Sequence, residues 1–183
     1  MNGLERCLAT YKGEPVDHLA FMPITMMFAG DLIGRKYGEY ATDHRVMVEA
    51  QIRVAKEFGA DLVSGISDPA REAADCGAKV AIFEDQPPAI DEENALFADK
   101  ATLAKVKLPD PTQTRRMGDR IAACQLFREK VGGELLIEGW VEGPCAQGAD
   151  MRGINRLMMD FYTDPDFVRG LFEFVTEIEI RFA

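Results

Sequence analysis

Three carboxylates, an indole and a soft apolar surface are the side chains whose type and position suit chemistry. Asp68 follows the apolar run 60–67 and precedes Pro69. It therefore stands where a strand ends, and a carboxylate there can accept hydrogen bonds from a ligand's ring nitrogens or amides. Asp-Pro is also a helix start, with Asp capping and Pro at the first helical position. Asp110-Pro111 and Asp164-Pro165 repeat the dipeptide where no chemistry is suspected, so both readings of Asp68 stand. Glu142 and Asp150 lie near a second strand end, and paired carboxylates can take different acidities and share acid and base work. In so acidic a chain, solvated loop carboxylates are the alternative. Trp140 offers a flat face for stacking, and Met22, Met26, Met27 and Phe28 offer a polarizable apolar surface, though both patterns also serve ordinary packing.

Metal and thiol chemistry have no local pattern. Cys7, Cys76, Cys124 and Cys145 are widely spaced, with no Cys-x-x-Cys and no His-x-Cys, and read as small buried hydrophobes. His18 and His44 lack a Cys two residues on, so no metal ligand is assigned. The 183 residues are 47% hydrophobic and 28% charged, a globular composition that excludes a disordered or fibrous chain. Lys and Arg number 21 against 31 Asp and Glu, a net charge of −10, and no basic run could follow a phosphate backbone. Nucleic acid is excluded as a partner. The longest apolar stretch, 19–30, is broken by Pro23 and Thr25 and falls short of the roughly 18 residues a membrane span needs. The N-terminus has no basic segment leading into an apolar one, so a cytoplasmic protein without a membrane partner is expected.

The elements that must position these groups alternate. Residues 4–12 predict a short helix and, after the turn Gly13-Glu14-Pro15-Val16-Asp17-His18, residues 19–24 predict a buried strand. Thr42-Asp43 caps a helix over 44–58, where Val46, Ala50, Val54 and Phe58 recur every fourth residue before Gly59. A strand over 60–67, a helix over 70–76 and an excursion strand over 79–84 follow, then a small helix at 101–106. A helix over 115–131 stops at Gly132-Gly133, a strand spans 134–140, and helices follow at 143–151, 157–162 and 167–182.

Such alternation predicts an α/β fold with a parallel sheet and right-handed crossovers. No strand leads into Gly-x-Gly-x-x-Gly or a phosphate loop, which favours a barrel over a doubly wound sheet. A complete eight-stranded barrel takes about 250 residues, and three or four core strands are read here. The last helix ends at Ile180-Arg181-Phe182-Ala183 without a Gly, Asn or Pro stop. Residues 1–183 are thus expected to form the N-terminal half of a single (β/α)8 TIM barrel domain. The exposed edges of such a half would drive homo-oligomerisation or pairing with a partner chain.

Gly139-Trp140-Val141-Glu142-Gly143-Pro144, Met151-Arg152-Gly153, Leu157-Met158-Met159-Asp160, Asp164-Pro165 and Ser67-Asp68 together resemble the uroporphyrinogen decarboxylase superfamily. The resemblance extends from Gly13-Glu14-Pro15-Val16-Asp17 onward. It implies a TIM barrel with its ligand at the C-terminal mouth of the strands and a full chain nearly twice as long. That superfamily holds tetrapyrrole decarboxylases and corrinoid-linked methyltransferases. The decarboxylases carry a Met-Arg-Gln-Ala-Gly-Arg segment after the first strand, whose guanidiniums suit carboxylates. Here the segment reads Met26-Met27-Phe28-Ala29-Gly30-Asp31, so Met27 and Asp31 replace the two arginines. A tyrosine of the decarboxylase set is replaced by Asp150, and Asp68 alone of that set is kept. Losing two charge-assisted contacts of about 1.5–3 kcal/mol each would weaken binding of a polycarboxylate by orders of magnitude.

The resemblance therefore implies, for the full-length parent, methyl transfer between a corrinoid and a zinc-activated thiol or similar acceptor. The corrinoid would be free or carried on a corrinoid protein, and the zinc ligands would lie outside these residues. Asp68 is expected to bind ligand as the catalytic residue, with Met27, Asp31, Trp140, Glu142 and Asp150 shaping the cofactor pocket. Decarboxylation of uroporphyrinogen is the alternative activity. An inactive half-barrel that self-associates or binds a partner is the non-enzymatic alternative.

Overall fold

The computed structural model describes residues 1–183, which group into two compact units. Residues 1–67, 84–86 and 119–140 form the first; residues 68–83, 87–118 and 141–183 form the second.

In the first unit, α1 (Gly3–Lys12) starts at Asn2, whose side chain accepts from Glu5 N while Glu5 returns the bond, a reciprocal cap. The helix ends at Gly13 with φ of 68°, a left-handed stop that glycine adopts without strain. Two short helices follow, α2 (Met26–Leu32) and α3 (Tyr37–Thr42), neither of which the periodicity foretells. Next comes α4 (His44–Phe58), capped by Asp43 through Arg45 N and stopped at Gly59, as expected. Its Val46, Ala50 and Val54 are buried, with Tyr40, Met47, Val63, Ala123 and Phe127 around them. Phe58, the last member of the sequence stripe, is exposed.

Strand β1 (Leu62–Ser64) pairs in parallel with a strand at Leu136–Glu138, in the register Leu62 to Leu136, Val63 to Ile137 and Ser64 to Glu138. A parallel pair requires a long crossover, and the helices between these strands provide it.

The expected buried strand at 19–24 does not form. Leu19, Phe21 and Ile24 are 82%, 48% and 63% exposed, and the segment belongs to no ladder. Pro23 cannot donate to one. The Phe21 N–H is taken instead by the Asp61 carboxylate at 2.8 Å, although Phe21 O still accepts from Asp61 N at 2.8 Å. Asp61 is anchored in turn by Arg6, which donates to it at 2.5 Å and to Asp17 at 2.7 Å. Asp17 of the Gly-Glu-Pro-Val-Asp turn is therefore a structural clasp. Arg6 holds its carboxyl far below the usual carboxylate range.

In the second unit, α5 (Arg71–Asp75) precedes a small antiparallel pair, β2 (Val80–Ala81) with β3 (Ala89–Ile90). The excursion strand predicted over 79–84 is thus two residues long. The helix expected at 101–106 is a single 3-10 turn at Lys100–Thr102, with another at Pro111–Gln113. Helix α6 (Arg116–Val131) starts in this unit and runs into the first. After the second parallel strand, β4 (Leu136–Glu138), come α7 (Pro144–Arg152), α8 (Ile154–Thr163) and α9 (Pro165–Phe182). The core of the second unit gathers Phe97, Met117, Met151, Leu157, Leu171, Val175 and Ile178. No helix is long and apolar enough to cross a membrane.

Candidate functional site

The chain leaves β1 under tight control. Tyr40 Oη donates to Ile66 O at 3.0 Å, and Tyr37 Oη donates to Ser67 O. The two rings stack with centroids 5.5 Å apart. Gln51 Nε2 donates to Tyr40 Oη at 2.8 Å, and burial pushes the Tyr40 hydroxyl up to about 12, so it stays a donor at neutral pH. Two carbonyls fixed in this way determine where residue 68 begins.

Asp68 is fully buried. One of its carboxylate oxygens accepts from Ala70 N at 3.2 Å, a local turn, and the other receives Arg116 Nη2 at 2.5 Å. The helix itself starts later, at Arg71. The other two Asp-Pro sites cap: Asp110 accepts from Thr112 N at 3.0 Å, and Asp164 accepts from Phe167 N at 3.2 Å while also pairing with Lys100. Arg116 is held from its backbone, because the Asp75 carboxylate accepts from Arg116 N at 3.1 Å and Met117 N at 2.7 Å. Acidic groups suit that position, where the first N–H groups of a helix lack partners.

Around this pair lies an acidic cluster. Arg71 and Glu72 are fully buried on α5, with Arg71 Nη2 3.2 Å from Glu72 and 3.7 Å from Glu142. Gln147 on α7 donates to Pro69 O at 2.6 Å and to Glu72 at 3.4 Å. Burial pushes the Asp150 carboxyl up to about 7, and Glu142, Glu72, Glu92 and Asp68 add to the rise. Burial likewise lifts Glu179 on α9 to about 7, with Glu72 and Glu142 contributing. Glu72 is raised by burial, against the pull of Arg71. Burial and like charges together favour the protonated forms of Asp150, Glu179 and Glu72.

Of the six residues singled out in the sequence, Asp68, Glu142 and Asp150 belong to this cluster, in the second unit. Met27, Asp31 and Trp140 belong to the first. Met27 and Asp31 sit four residues apart on α2, hence on one face, and both are exposed. Trp140 is half-buried just after β4. Sequence reasoning missed Arg71, Glu72, Arg116, Gln147 and Glu179. A signal existed for Glu179, which falls four residues after Val175 and eight after Leu171, on the buried stripe of α9, where a charge is out of place.

Other residues of the sequence resemblance are structural. Arg152 donates to Asp160 at 2.6 Å and to Phe97 O at 2.6 Å, and Lys100 bridges Asp160 and Asp164 at 2.7 Å each. Both cations also face the Phe167 ring, at 5.3 and 5.0 Å. No three His, Cys, Asp or Glu side chains are grouped so as to hold a metal ion.

The model of one protein family, uroporphyrinogen decarboxylase (URO-D), matches residues 2–183. Among solved structures, a methyltransferase from Methanosarcina mazei aligns with a TM-score of 0.87 at 21% identity, covering 100% of this chain and 54% of that one. The chain thus spans about half the length of that structure. The likeness establishes the fold, an α/β partial TIM barrel. No curated protein matches the chain.

Proposed function

The chain belongs to the uroporphyrinogen decarboxylase family, and from that membership we propose that it forms part of a corrinoid-dependent methyltransferase rather than a tetrapyrrole decarboxylase. The observation that carries this reading is the surface of α2. Met27 and Phe28 are 40% and 49% exposed there, the Phe28 ring lies 5.4 Å from that of exposed Phe58, and the helix carries Asp31 and no arginine. An exposed apolar patch of this kind marks a binding surface. It suits the broad face of a large ring and offers nothing to a rim of carboxylates. The acidic cluster of the second unit acts in the same direction, since its Arg71 and Arg116 already face Glu72, Glu142 and Asp68.

The solved Methanosarcina protein is a methyltransferase, and the same class of reaction is proposed for the protein to which these residues belong. A bound corrinoid would supply the methyl group on its cobalt. In the first unit, Met27 and Phe28 would hold the ring and Trp140 would offer its indole for stacking. In the second unit, taken by itself, Asp68, Glu142 and Asp150 offer carboxylate oxygens to ligand groups that donate hydrogen bonds. Zinc is a separate matter. The His and Cys residues present are not grouped as a ligand set, so no step of the reaction is assigned to them.

Competition binding tests this reading. The protein is expected to bind hydroxocobalamin with an affinity that a Met27→Glu substitution lowers at least about tenfold, roughly one lost hydrophobic contact plus the cost of desolvating a carboxylate. Uroporphyrin should not displace it. Tight uroporphyrin binding without measurable corrinoid binding would overturn the proposal.

A further inference from the structure

The solvent side of α8 carries no charge. Ile154, Met158, Phe161 and Tyr162 recur along it at the spacing of successive helical turns, and Met159 borders the stripe. Its other exposed positions are Asn155 and Thr163. The two ionic side chains of the helix are engaged elsewhere: Asp160 is buried against Arg152 and Lys100, and Arg156 donates to Glu92 O at 2.9 Å. Met158 and Tyr162 are 63% and 89% exposed. Phe161 is braced edge-on by Phe172 of α9, with ring centroids 5.8 Å apart, and buried Leu157 and Asp160 pin the inner side of the helix. The stripe is therefore a surface of fixed shape.

Its size and its neutrality select an occupant. The five apolar side chains present about 700 Å², taking each exposed fraction of an ordinary large side chain. That exceeds the few hundred Å² that solitary soluble proteins leave open and comes near the roughly 800 Å² that each partner of a stable complex covers. A lipid surface attracts helices edged with Lys and Arg, and α8 exposes neither. A chain of net charge −10 repels its own copy wherever acids line the contact. Because a two-fold contact sets each patch against itself, it tolerates only a neutral seam. The outer face of α8 meets that condition.

We propose that a second copy of the chain docks on this face, each α8 lying antiparallel to its counterpart about a two-fold axis. The register that uses the whole stripe puts Met158 on the axis, against its own copy, and sets Ile154 of each chain against Tyr162 of the other. Antiparallel pairing also brings the positive end of each helix dipole to the negative end of the other. The contact draws on the second unit alone and leaves the α2 surface free, so the proposed reaction and this dimer can fail separately.

Sedimentation of the 183-residue chain at micromolar concentration tests the contact, with Met158 changed in two ways. The unaltered chain should be a dimer. Met158→Lys and Met158→Glu each bring like charges together at the axis and should each weaken the dimer at least about a hundredfold, the scale of a like-charge contact across an interface. Mixed in equal amounts, the two variants should dimerise again, because opposite charges then meet; variants that had merely unfolded would not. A monomeric unaltered chain would overturn the proposal. So would a dimer indifferent to both substitutions, which would place the contact elsewhere, and a mixture that stays monomeric would overturn the two-fold register.

Discussion

Arg116 Nη2 meets the Asp68 carboxylate at 2.5 Å, with side chains 8% and 0% exposed. The pair sets Asp68 apart from Asp110, which occupies the same dipeptide and caps a turn, and from Asp164, which caps α9 and meets the part-exposed Lys100 rather than a buried arginine. A buried charge keeps its place only while its partner remains, so the pair ties the start of α6 to Asp68 within the second unit.

Removing one member strands the other. Asp68→Asn and Arg116→Gln should each lower unfolding free energy in urea by about 3–5 kcal/mol. The double variant should lose clearly less than the sum of the two, because no uncompensated charge remains. Additive losses would mean that the two residues do not act as a pair.

Stability should fall as the solution is made alkaline. Asp150 and Glu179 titrate near 7 when folded, above their ordinary values of 3.8 and 4.5, so folding favours their protonated forms. Their contribution is full below about pH 4 and is lost as pH rises through about 7. Asp160, Asp164, Asp91 and Asp110 are shifted downward by their hydrogen bonds and ion pairs, and their contributions are lost only in acid. The melting temperature should therefore peak in mildly acidic solution, and Glu179→Gln should flatten its decline between pH 6 and pH 8. A wild-type melting temperature that rises over that interval would count against the buried acidic cluster.

The approach to Asp68 can be loosened without touching it. Tyr40→Phe removes the donor to Ile66 O and the acceptor of Gln51. Both are left wanting inside the protein, at a cost of about 1–3 kcal/mol. Hydrogen exchange of the amides at 65–68 should speed up in this variant while those of α9 stay as they are. Unchanged exchange at 65–68 would show that the tyrosine does not hold this segment.

The Arg152–Asp160–Lys100 cluster predicts an order of effects. Asp160→Ala strands the buried Arg152 and should cost about 3 kcal/mol or more. Lys100→Met removes a side chain that is 34% exposed and should cost about 1 kcal/mol at most. The reverse order in urea unfolding would contradict a structural role for Asp160.

Much of the fold was written locally. Helix α4 could be read from Asp43, its four-residue stripe and Gly59, and α9 from Asp164-Pro165 and its apolar face, because capping and periodicity are short-range signals. The failures were long-range. Nothing near Phe21 announces that the Asp61 carboxylate will take its N–H, so an apolar run passed for a buried strand. The two short helices over 26–42 carry no repeat long enough to register. At the candidate site, Asp68, Glu142 and Asp150 were visible as acids near strand ends. The partners that give them character, Arg116 from 48 residues away and Gln147 from across α7, are brought in by tertiary packing alone. Glu179 was legible as a charge on a buried stripe, and only the surrounding acids give it meaning.

Turnover by a protein that carries these residues and spans the full length of the Methanosarcina structure tests the central claim most directly. Incubated with methylcobalamin and a thiol acceptor, it should consume the methylated corrinoid, seen as loss of its absorption spectrum, while uroporphyrinogen in a parallel reaction stays intact. Conversion of uroporphyrinogen to coproporphyrinogen, with methylcobalamin untouched, would contradict the account and show that the family's decarboxylation survives without the two arginines on α2.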